Sequence, residues 1–156
     1  MQSSDLAVRR HDIQTADAQE LIQSLNEELN DLYPEEGANH FRLDPSEMEP
    51  DRGVFLVVTC AGESVACGAI RRIDRETGEL KRMYVRPKMR RRGIARALLK
   101  ELEAEARSLG ISRIVLETGT RQPGAIGLYK REGFIEIPPF GEYVGSPFSV
   151  CMEKKL

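Results

Sequence analysis

The sequence predicts an α/β (α+β) fold in which a mixed, mostly antiparallel, twisted sheet of about six to seven strands is flanked by helices. Three apolar or β-branched segments in the middle of the chain follow one another with only short turns between them, which indicates an antiparallel meander. Two longer segments repeat their apolar residues every three or four positions, as amphipathic helices do. Helices and strands then alternate, so the helices are expected to cover the faces of one sheet.

The length and composition indicate one globular domain over residues 1–156. Hydrophobic residues make up 40% of the chain and charged residues 31%, which argues against the disordered and fibrous classes. The net charge of -2 argues against a protein built mainly to bind nucleic acid. The sequence lacks an apolar run of membrane-spanning length and a signal-peptide pattern, so we expect a cytoplasmic protein with no membrane partner.

The N-terminal part is predicted to form a short strand and a long helix. The strand covers Leu6–Arg10, and the helix begins near Thr15 or Asp17, either of which can cap its first turn. Tyr33 and the proline after it end the helix. The acidic segment 35–51 is interpreted as a solvated connection, with a substrate lid as the alternative.

The remaining elements are bounded by glycines, prolines and short turns. The predicted strands cover Val54–Cys60, Ser64–Ile73, Glu79–Val85, Ile114–Thr118, Phe134–Ile137 and Phe148–Met152. A long helix follows the third strand of the meander and is capped by Gly110, and a shorter helix covers Pro123–Glu132. The three cysteines lack CxxC spacing and lie in or beside strands, so we expect buried thiols and no metal site.

A basic turn joins the third strand of the meander to the long helix. Its residues are Arg90, Arg91, Arg92, Gly93, Ile94, Ala95 and Arg96. The first N–H groups of a helix have no intrahelical partner and carry a partial positive charge, so an anion gains hydrogen bonds and dipole attraction there. Gly93 and Ala95 carry little or no side chain, which lets a bulky diphosphate approach the backbone. The turn therefore predicts a phosphate-binding site.

The turn resembles the signature of the GNAT superfamily of N-acetyltransferases. That signature is arginine or glutamine, two residues, glycine, one residue, then glycine or alanine, after a strand that ends in Val-x-Pro. Arg90, Gly93 and Ala95 occupy those positions after Val85-Arg86-Pro87. The family's downstream motif is matched at Ala125, Leu128, Tyr129, Gly133 and Phe134. Gln122 stands where the family usually has asparagine.

The resemblance implies an enzyme that moves an acetyl group from acetyl-CoA to a primary amine of a small molecule or peptide, by direct attack in a ternary complex. It implies that backbone N–H groups of residues 83–85 hold the pantetheine arm as if it were another strand and polarise the thioester. Amides of residues 91–96 are implied to hold the diphosphate. The implied cofactor-binding residues are Met83, Tyr84, Val85, Arg90, Arg91, Arg92, Gly93, Ile94, Ala95, Arg96 and Gln122.

The resemblance also assigns two catalytic roles. Tyr129 lies where the family's proton donor to the thiolate lies, and a phenol near its normal pKa of about 10 is protonated at neutral pH. The alternative for Tyr129 is a packed helix aromatic. Glu79 occupies a strand position that bears a general-base glutamate in some histone-modifying relatives, and strand alternation places it on one face with Lys81, Met83 and Val85. The alternative for Glu79 is a surface carboxylate, with ordered water as the base.

Two functions of other classes are alternatives. A non-catalytic acyl-CoA-binding sensor needs the basic turn but not Tyr129. A nucleic-acid-binding module is the second, although the basic run lacks base-stacking aromatics. The acidic residues of segment 35–51 and Glu142 suggest a cationic amine as the acceptor. The expected partners are acetyl-CoA and the amine, and a homodimer is left open.

Overall fold

The computed structural model describes residues 5–38 and 43–156, and in these ranges the chain forms seven strands and three α-helices. The strands are β1 (Leu6–Arg10), β2 (Gly53–Cys60), β3 (Glu63–Arg72), β4 (Thr77–Val85), β5 (Arg113–Gly119), β6 (Ile135–Ile137) and β7 (Ser149–Lys155). The helices are α1 (Ala16–Leu32), α2 (Ile94–Ser108) and α3 (Pro123–Arg131). Every predicted element is present, with ends that differ by at most a few residues.

The strands form one sheet in the order β1-β2-β3-β4-β5-β7-β6. Neighbouring strands are antiparallel except for β4 and β5, which are parallel. The connection between these two strands runs through α2, because parallel neighbours need a crossover. The sheet confirms the predicted mixed, mostly antiparallel architecture.

The helix ends follow the predicted capping chemistry. Thr15 is the N-cap of α1, where its side chain accepts a hydrogen bond from the Ala18 amide at 3.4 Å, and Tyr33 follows the last helical residue. Gly110 follows the end of α2 with a φ of 80°, a left-handed conformation that glycine adopts without strain.

Each face of the sheet carries an apolar core. On one face, Leu98 and Leu102 of α2 pack against Ile70, Leu80 and Leu116 of the sheet. On the other face, buried residues of α1 and the sheet form a second cluster: Ala18, Leu21, Leu25, Phe55, Val57, Cys67, Ala69 and Tyr84. Burial of a large apolar side chain stabilises a fold by roughly 1.5–3 kcal/mol, so these clusters hold both helices on the sheet.

Candidate active site

A cavity of about 610 Å³ lies where β4 and β5 separate. The parallel pairing of these strands ends at Leu80 and Leu116, although β4 continues to Val85 and β5 continues to Gly119. Past that point α1 forms one wall of the cavity, and the segment between β6 and β7 forms another. The volume is in the range of sites for small molecules and cofactors.

The acidic segment 35–51 borders the cavity. Three of its residues contribute to the lining: Ala38, Leu43 and Pro45. Residues 39–42 of this segment lie outside the described residues. Two of its acids pair with arginines of the protein itself: Glu35 with Arg121, and Glu47 with Arg71.

A β-bulge in β4 changes which of its side chains face each helix. Ala69 of β3 pairs with Lys81, and Cys67 pairs with Tyr84, so β4 has one more residue than β3 between these pairs. Arg82 lies at this irregularity, with a φ of 55° in the left-handed region. Directly opposite residues of paired strands share a face. Lys81 therefore lies on the α1 side with Ala69.

The predicted shared face of Glu79, Lys81, Met83 and Val85 is wrong for the last two residues. Met83 and Val85 pack in the core on the α2 side. The extra residue at the bulge shifts the strand alternation by one position, so side chains beyond it exchange faces. Arg82 itself lies on the α1 side, where its Nη1 donates a hydrogen bond to an asparagine of α1 at 3.3 Å.

Glu117 on β5 lines the cavity. Its Oε2 accepts a hydrogen bond from Ser149 Oγ at 2.6 Å. Burial raises the pKa of Glu117 to about 7, and the charges of Glu79 and Glu142 add to this shift, whereas Ser149 and Lys81 oppose it. A carboxyl group with a pKa near neutrality can accept and release a proton at physiological pH.

Sequence reasoning missed Glu117, although a signal was present. The residue follows Ile114, Val115 and Leu116 in a strand that is otherwise apolar. Carboxylates are rarely buried unless they are paired, and perturbed carboxylates concentrate at functional sites. A charged residue inside an apolar strand therefore indicated a candidate functional residue. Ser149 carries no comparable signal, because only the sheet pairing brings it beside Glu117.

Glu79 is fully buried, and both of its carboxylate oxygens accept hydrogen bonds. Arg71 Nε donates to Oε1 at 2.9 Å, and the Tyr143 hydroxyl donates to Oε2 at 2.5 Å. Arg71 also forms an ion pair with Glu47. This network joins β3 and β4 to two segments that border the cavity. The described cavity lining includes Glu117 but not Glu79.

Tyr129 on α3 lines the cavity and is buried. Its ring packs edge-on against Phe134, with 5.6 Å between the ring centroids. Burial, and to a lesser degree the charge of Glu117, raises the pKa of the Tyr129 phenol above its ordinary value. Tyr129 is therefore a packed aromatic that also carries a proton at neutral pH.

The basic turn lies at the N-terminus of α2, as the sequence predicts. Arg91 and Gly93 have φ values of 64° and 77°, and turns that use left-handed residues can form anion-binding concavities with their N–H groups. A Cβ added to Gly93 would meet no atom within 4 Å, so the space beside this residue is open. Arg91 and Arg92 are exposed, as is Arg96, which pairs with Glu132.

Several other predicted cofactor residues use their side chains for packing. Tyr84, Val85 and Ile94 are buried, and Ala95 is half-buried, so a ligand can reach mainly their backbone atoms. Met83 lines the cavity.

Arg90 and Gln122 are held by polar contacts within the protein. Arg90 Nε donates to the Val85 carbonyl at 2.9 Å, and its Nη2 donates to Glu28 at 2.7 Å. Gln122 lines the cavity, and its Oε1 accepts hydrogen bonds from the Gly119 amide at 3.0 Å and the Tyr33 hydroxyl at 3.3 Å. Both residues thus brace the ends of strands that border the cavity.

Cys60, Cys67 and Cys151 are buried and are not joined in disulfides, which confirms the predicted burial of these thiols. Within residues 5–38 and 43–156, no group of three or more His, Cys, Asp or Glu side chains could hold a metal ion. None of the helices in the described part of the chain has the length and apolar character needed to cross a membrane.

The chain is similar to known acetyltransferases in sequence. A profile of the Acetyltransferase (GNAT) family matches residues 18–134. The IAA acetyltransferase of Azospirillum brasilense is 45% identical over 139 residues, which cover 88% of this chain and 89% of that protein.

Solved structures share the fold. A Klebsiella pneumoniae protein described as an acyl-CoA N-acyltransferase matches with a TM-score of 0.82 and 32% identity, over 97% of each chain. A GNAT family acetyltransferase from Elizabethkingia anophelis, solved with acetyl-CoA bound, matches with a TM-score of 0.71 over 99% of this chain and 100% of that chain. Its 20% identity supports the fold alone. Because the family profile spans most of the sequence and the Azospirillum relative aligns over nearly its whole length, this chain belongs to the GNAT family of acetyltransferases.

Proposed function

We propose that this enzyme transfers the acetyl group of acetyl-CoA to a primary amine of a small molecule or peptide, by direct attack of the amine within a ternary complex. The separation of β4 and β5 carries the proposal. It places Glu117 and Tyr129 beside one cavity. This cavity lies along β4, the strand that leads into the basic turn. A base for the amine and an acid for the thiolate are the two groups that such a transfer needs.

The residues around the separation suit acetyl-CoA. Past Leu80, β4 is no longer paired with β5, so N–H groups of residues 83–85 suit a pantetheine arm that lies along the strand like an added neighbour. Amides of residues 91–96 suit the diphosphate, since they begin a helix beside the open space at Gly93. When bound, acetyl-CoA supplies the thioester carbonyl that the amine attacks.

Glu117 suits the role of general base better than Glu79. Glu117 faces the cavity, and its pKa near 7 lets it take the proton that the amine loses as the new C–N bond forms. Both oxygens of Glu79 are occupied by Arg71 and Tyr143. We therefore assign Glu79 to holding Tyr143, and with it the segment between β6 and β7, at the cavity wall.

Tyr129 suits the role of general acid. Its phenol stays protonated at neutral pH because burial raises its pKa. It can donate this proton to the CoA sulfur as the C–S bond breaks. One proton is thus taken from the amine and one is delivered to the thiolate.

Acetyl-CoA is expected to raise the melting temperature of the protein, because a ligand that binds only the folded state stabilises it. At a concentration about 100 times Kd, the free energy of unfolding rises by about 2.7 kcal/mol. For a chain of this length that corresponds to a shift of roughly 5–10 °C. Gly93→Val should remove the shift, since its side chain occupies the open space at the start of α2. Thermal denaturation with and without millimolar acetyl-CoA measures both.

Gly110→Val is the matched control. Gly110 has a φ of 80°, and its Cβ position is also open, but it lies at the opposite end of α2. Both variants carry the strain of a side chain at positive φ, so both should melt at a lower temperature than the parent. Only Gly93→Val should fail to respond to acetyl-CoA. An equal response of the two variants would contradict a diphosphate site at the helix N-terminus.

A further inference from the structure

We infer that the amine acceptor carries a carboxylate, and that Arg82, with Lys81 beside it on the bulge of β4, binds this group. The inference rests on the proposed function and names the class of acceptor, a free amino acid with an apolar side chain. It follows from the geometry of the bulge, the partners of the nearby acids and the composition of the cavity wall.

The bulge brings two cations to one wall. In a regular strand, consecutive side chains point to opposite faces, so Lys81 and Arg82 would be separated by the sheet. The extra residue in β4 instead places both on the α1 side, and both line the cavity. Arg82 thus brings a second cation to the wall that holds Lys81, and a guanidinium favours an anionic group of a ligand.

The backbone at Arg82 is strained for this arrangement. Its φ of 55° is unusual for a residue with a side chain, because the Cβ crowds the backbone in the left-handed region. Strain of this kind persists where the surrounding structure holds it, and it concentrates at ligand-binding sites. The consequence of this backbone conformation is that the guanidinium of Arg82 lies on the α1 side, at the cavity.

The acids near the cavity are already engaged. Glu142 pairs with Lys81 at 3.5 Å, and Glu35 pairs with Arg121 at 2.7 Å. Glu47 pairs with Arg71. Three of the acids that suggested a cationic acceptor therefore have cationic partners within the protein. Lys81 also lies near Glu117, so Arg82 is the principal carboxylate ligand in this inference and Lys81 supports it.

The surroundings of Arg82 suit recognition of a small amino acid. Arg82 Nη1 donates a hydrogen bond to Asn26 Oδ1 of α1 at 3.3 Å. A guanidinium presents several N–H donors in a planar fork that matches a carboxylate. The same cavity is lined by apolar side chains of α1 and of the segment before β7: Ile22, Leu25, Leu29 and Phe148. These residues suit the apolar body of the acceptor.

The test compares acceptors on one skeleton in which the carboxylate is present, amidated or absent: phenylalanine, phenylalanine amide and phenethylamine, with each kcat/KM referred to the concentration of unprotonated amine. Release of the CoA thiol from acetyl-CoA is measured with each acceptor for the parent, Arg82→Gln and Arg82→Lys. The parent should acetylate phenylalanine with the highest kcat/KM. Arg82→Gln should lower that value by about 10- to 100-fold, mainly through KM, the range expected for loss of a charge-assisted hydrogen bond. It should affect phenethylamine much less, and Arg82→Lys should restore part of the loss.

Arg75→Gln is the control for loss of one positive charge, because Arg75 is exposed in the turn between β3 and β4 and does not line the described cavity. The melting temperature and the acetyl-CoA shift of each variant show whether it is folded. A parent that prefers phenethylamine, or an Arg82→Gln variant that weakens all three acceptors equally, would overturn the inference and leave acetyl transfer intact.

Failure of the proposed function is distinguishable from failure of this inference. If none of the three acceptors releases thiol, binding of phenylalanine and phenethylamine to the protein saturated with CoA is measured by thermal shift. Stabilisation by phenylalanine that Arg82→Gln abolishes would support the carboxylate site without turnover. Equal stabilisation by both compounds, or by neither, would overturn it.

Discussion

Replacement of Glu117 by glutamine is expected to lower kcat/KM by about 100- to 10,000-fold, the usual contribution of a general base. Glutamine keeps the size of the side chain and can still accept a hydrogen bond from Ser149, but it cannot take the proton of the amine. The loss should appear with acetyl-CoA affinity nearly unchanged, because Glu117 lies at the cavity and not at the basic turn. Initial rates of thiol release measure the change.

The pH dependence separates this role from a structural one. Glu117 has a pKa near 7, so the parent's kcat/KM should rise with pH through that value as the base ionises. Glu117→Gln should lose this rise in kcat/KM near pH 7. It should keep only the rise that comes from deprotonation of the acceptor amine. Stability changes in the opposite direction. A carboxyl group whose pKa is raised on folding contributes stability at pH values below its unfolded-state pKa. This contribution is lost as the pH rises through about 7.

Glu79→Gln is the matched control, since it is the same substitution at the other carboxylate of this region. Arg71 and Tyr143 would lose their anionic partner, so the free energy of unfolding should fall by about 3 kcal/mol. The rise in kcat/KM near neutrality should persist in Glu79→Gln and move to lower pH, because the charge of Glu79 helps to raise the pKa of Glu117. If the rise in kcat/KM near neutrality persists in Glu117→Gln and is lost in Glu79→Gln, Glu79 is the base instead.

Tyr129→Phe is expected to lower kcat by about 100- to 10,000-fold, because it removes the proton of the general acid and keeps the ring. The packing against Phe134 should be preserved, so the melting temperature should change little. Acetyl-CoA should still raise the melting temperature. We expect the loss to lie at the lower end of this range, because a thiol with an ordinary pKa of about 8.5 is a tolerable leaving group without protonation.

Steady-state kinetics, together with thermal denaturation of the same variant, decide between the two roles of Tyr129. A kcat within about twofold of the parent would make Tyr129 a packing residue and leave another group or water as the acid. A fall in kcat no larger than the loss of folded protein at the assay temperature would also contradict the assignment, because the hydroxyl would then mainly stabilise the fold.

Local sequence patterns were sufficient to predict the order of elements. Apolar spacing identified α1 and α2, prolines and glycines marked the ends of strands and helices, and the turn around Gly93 marked the start of α2. These features depend on residues that are close in the sequence. Their agreement with the sheet and helices reflects capping, turn chemistry and amphipathicity acting over one or two turns of chain.

The cavity depends on contacts that local patterns do not record. The bulge at Arg82 arises from the pairing of β3 with β4, so strand alternation alone assigned Met83 and Val85 to the wrong face. Likewise Glu79 was expected either to act as a base or to lie at the surface, whereas long-range contacts with Arg71 and Tyr143 bury it. The engagement of a carboxylate can be seen only when distant segments are brought together.

Identification of the product from acetyl-CoA and an amine tests the central claim most directly. Acetyl-CoA and a panel of amino acids and simple amines are incubated with the protein, the released thiol is counted, and N-acetylated product is quantified by mass spectrometry. We predict one acetylated amine for each thiol released, with initial-rate lines that intersect when both substrates are varied, as a ternary complex requires. Binding of acetyl-CoA without an acetylated product from any amine would contradict the account and identify the protein as an acyl-CoA sensor.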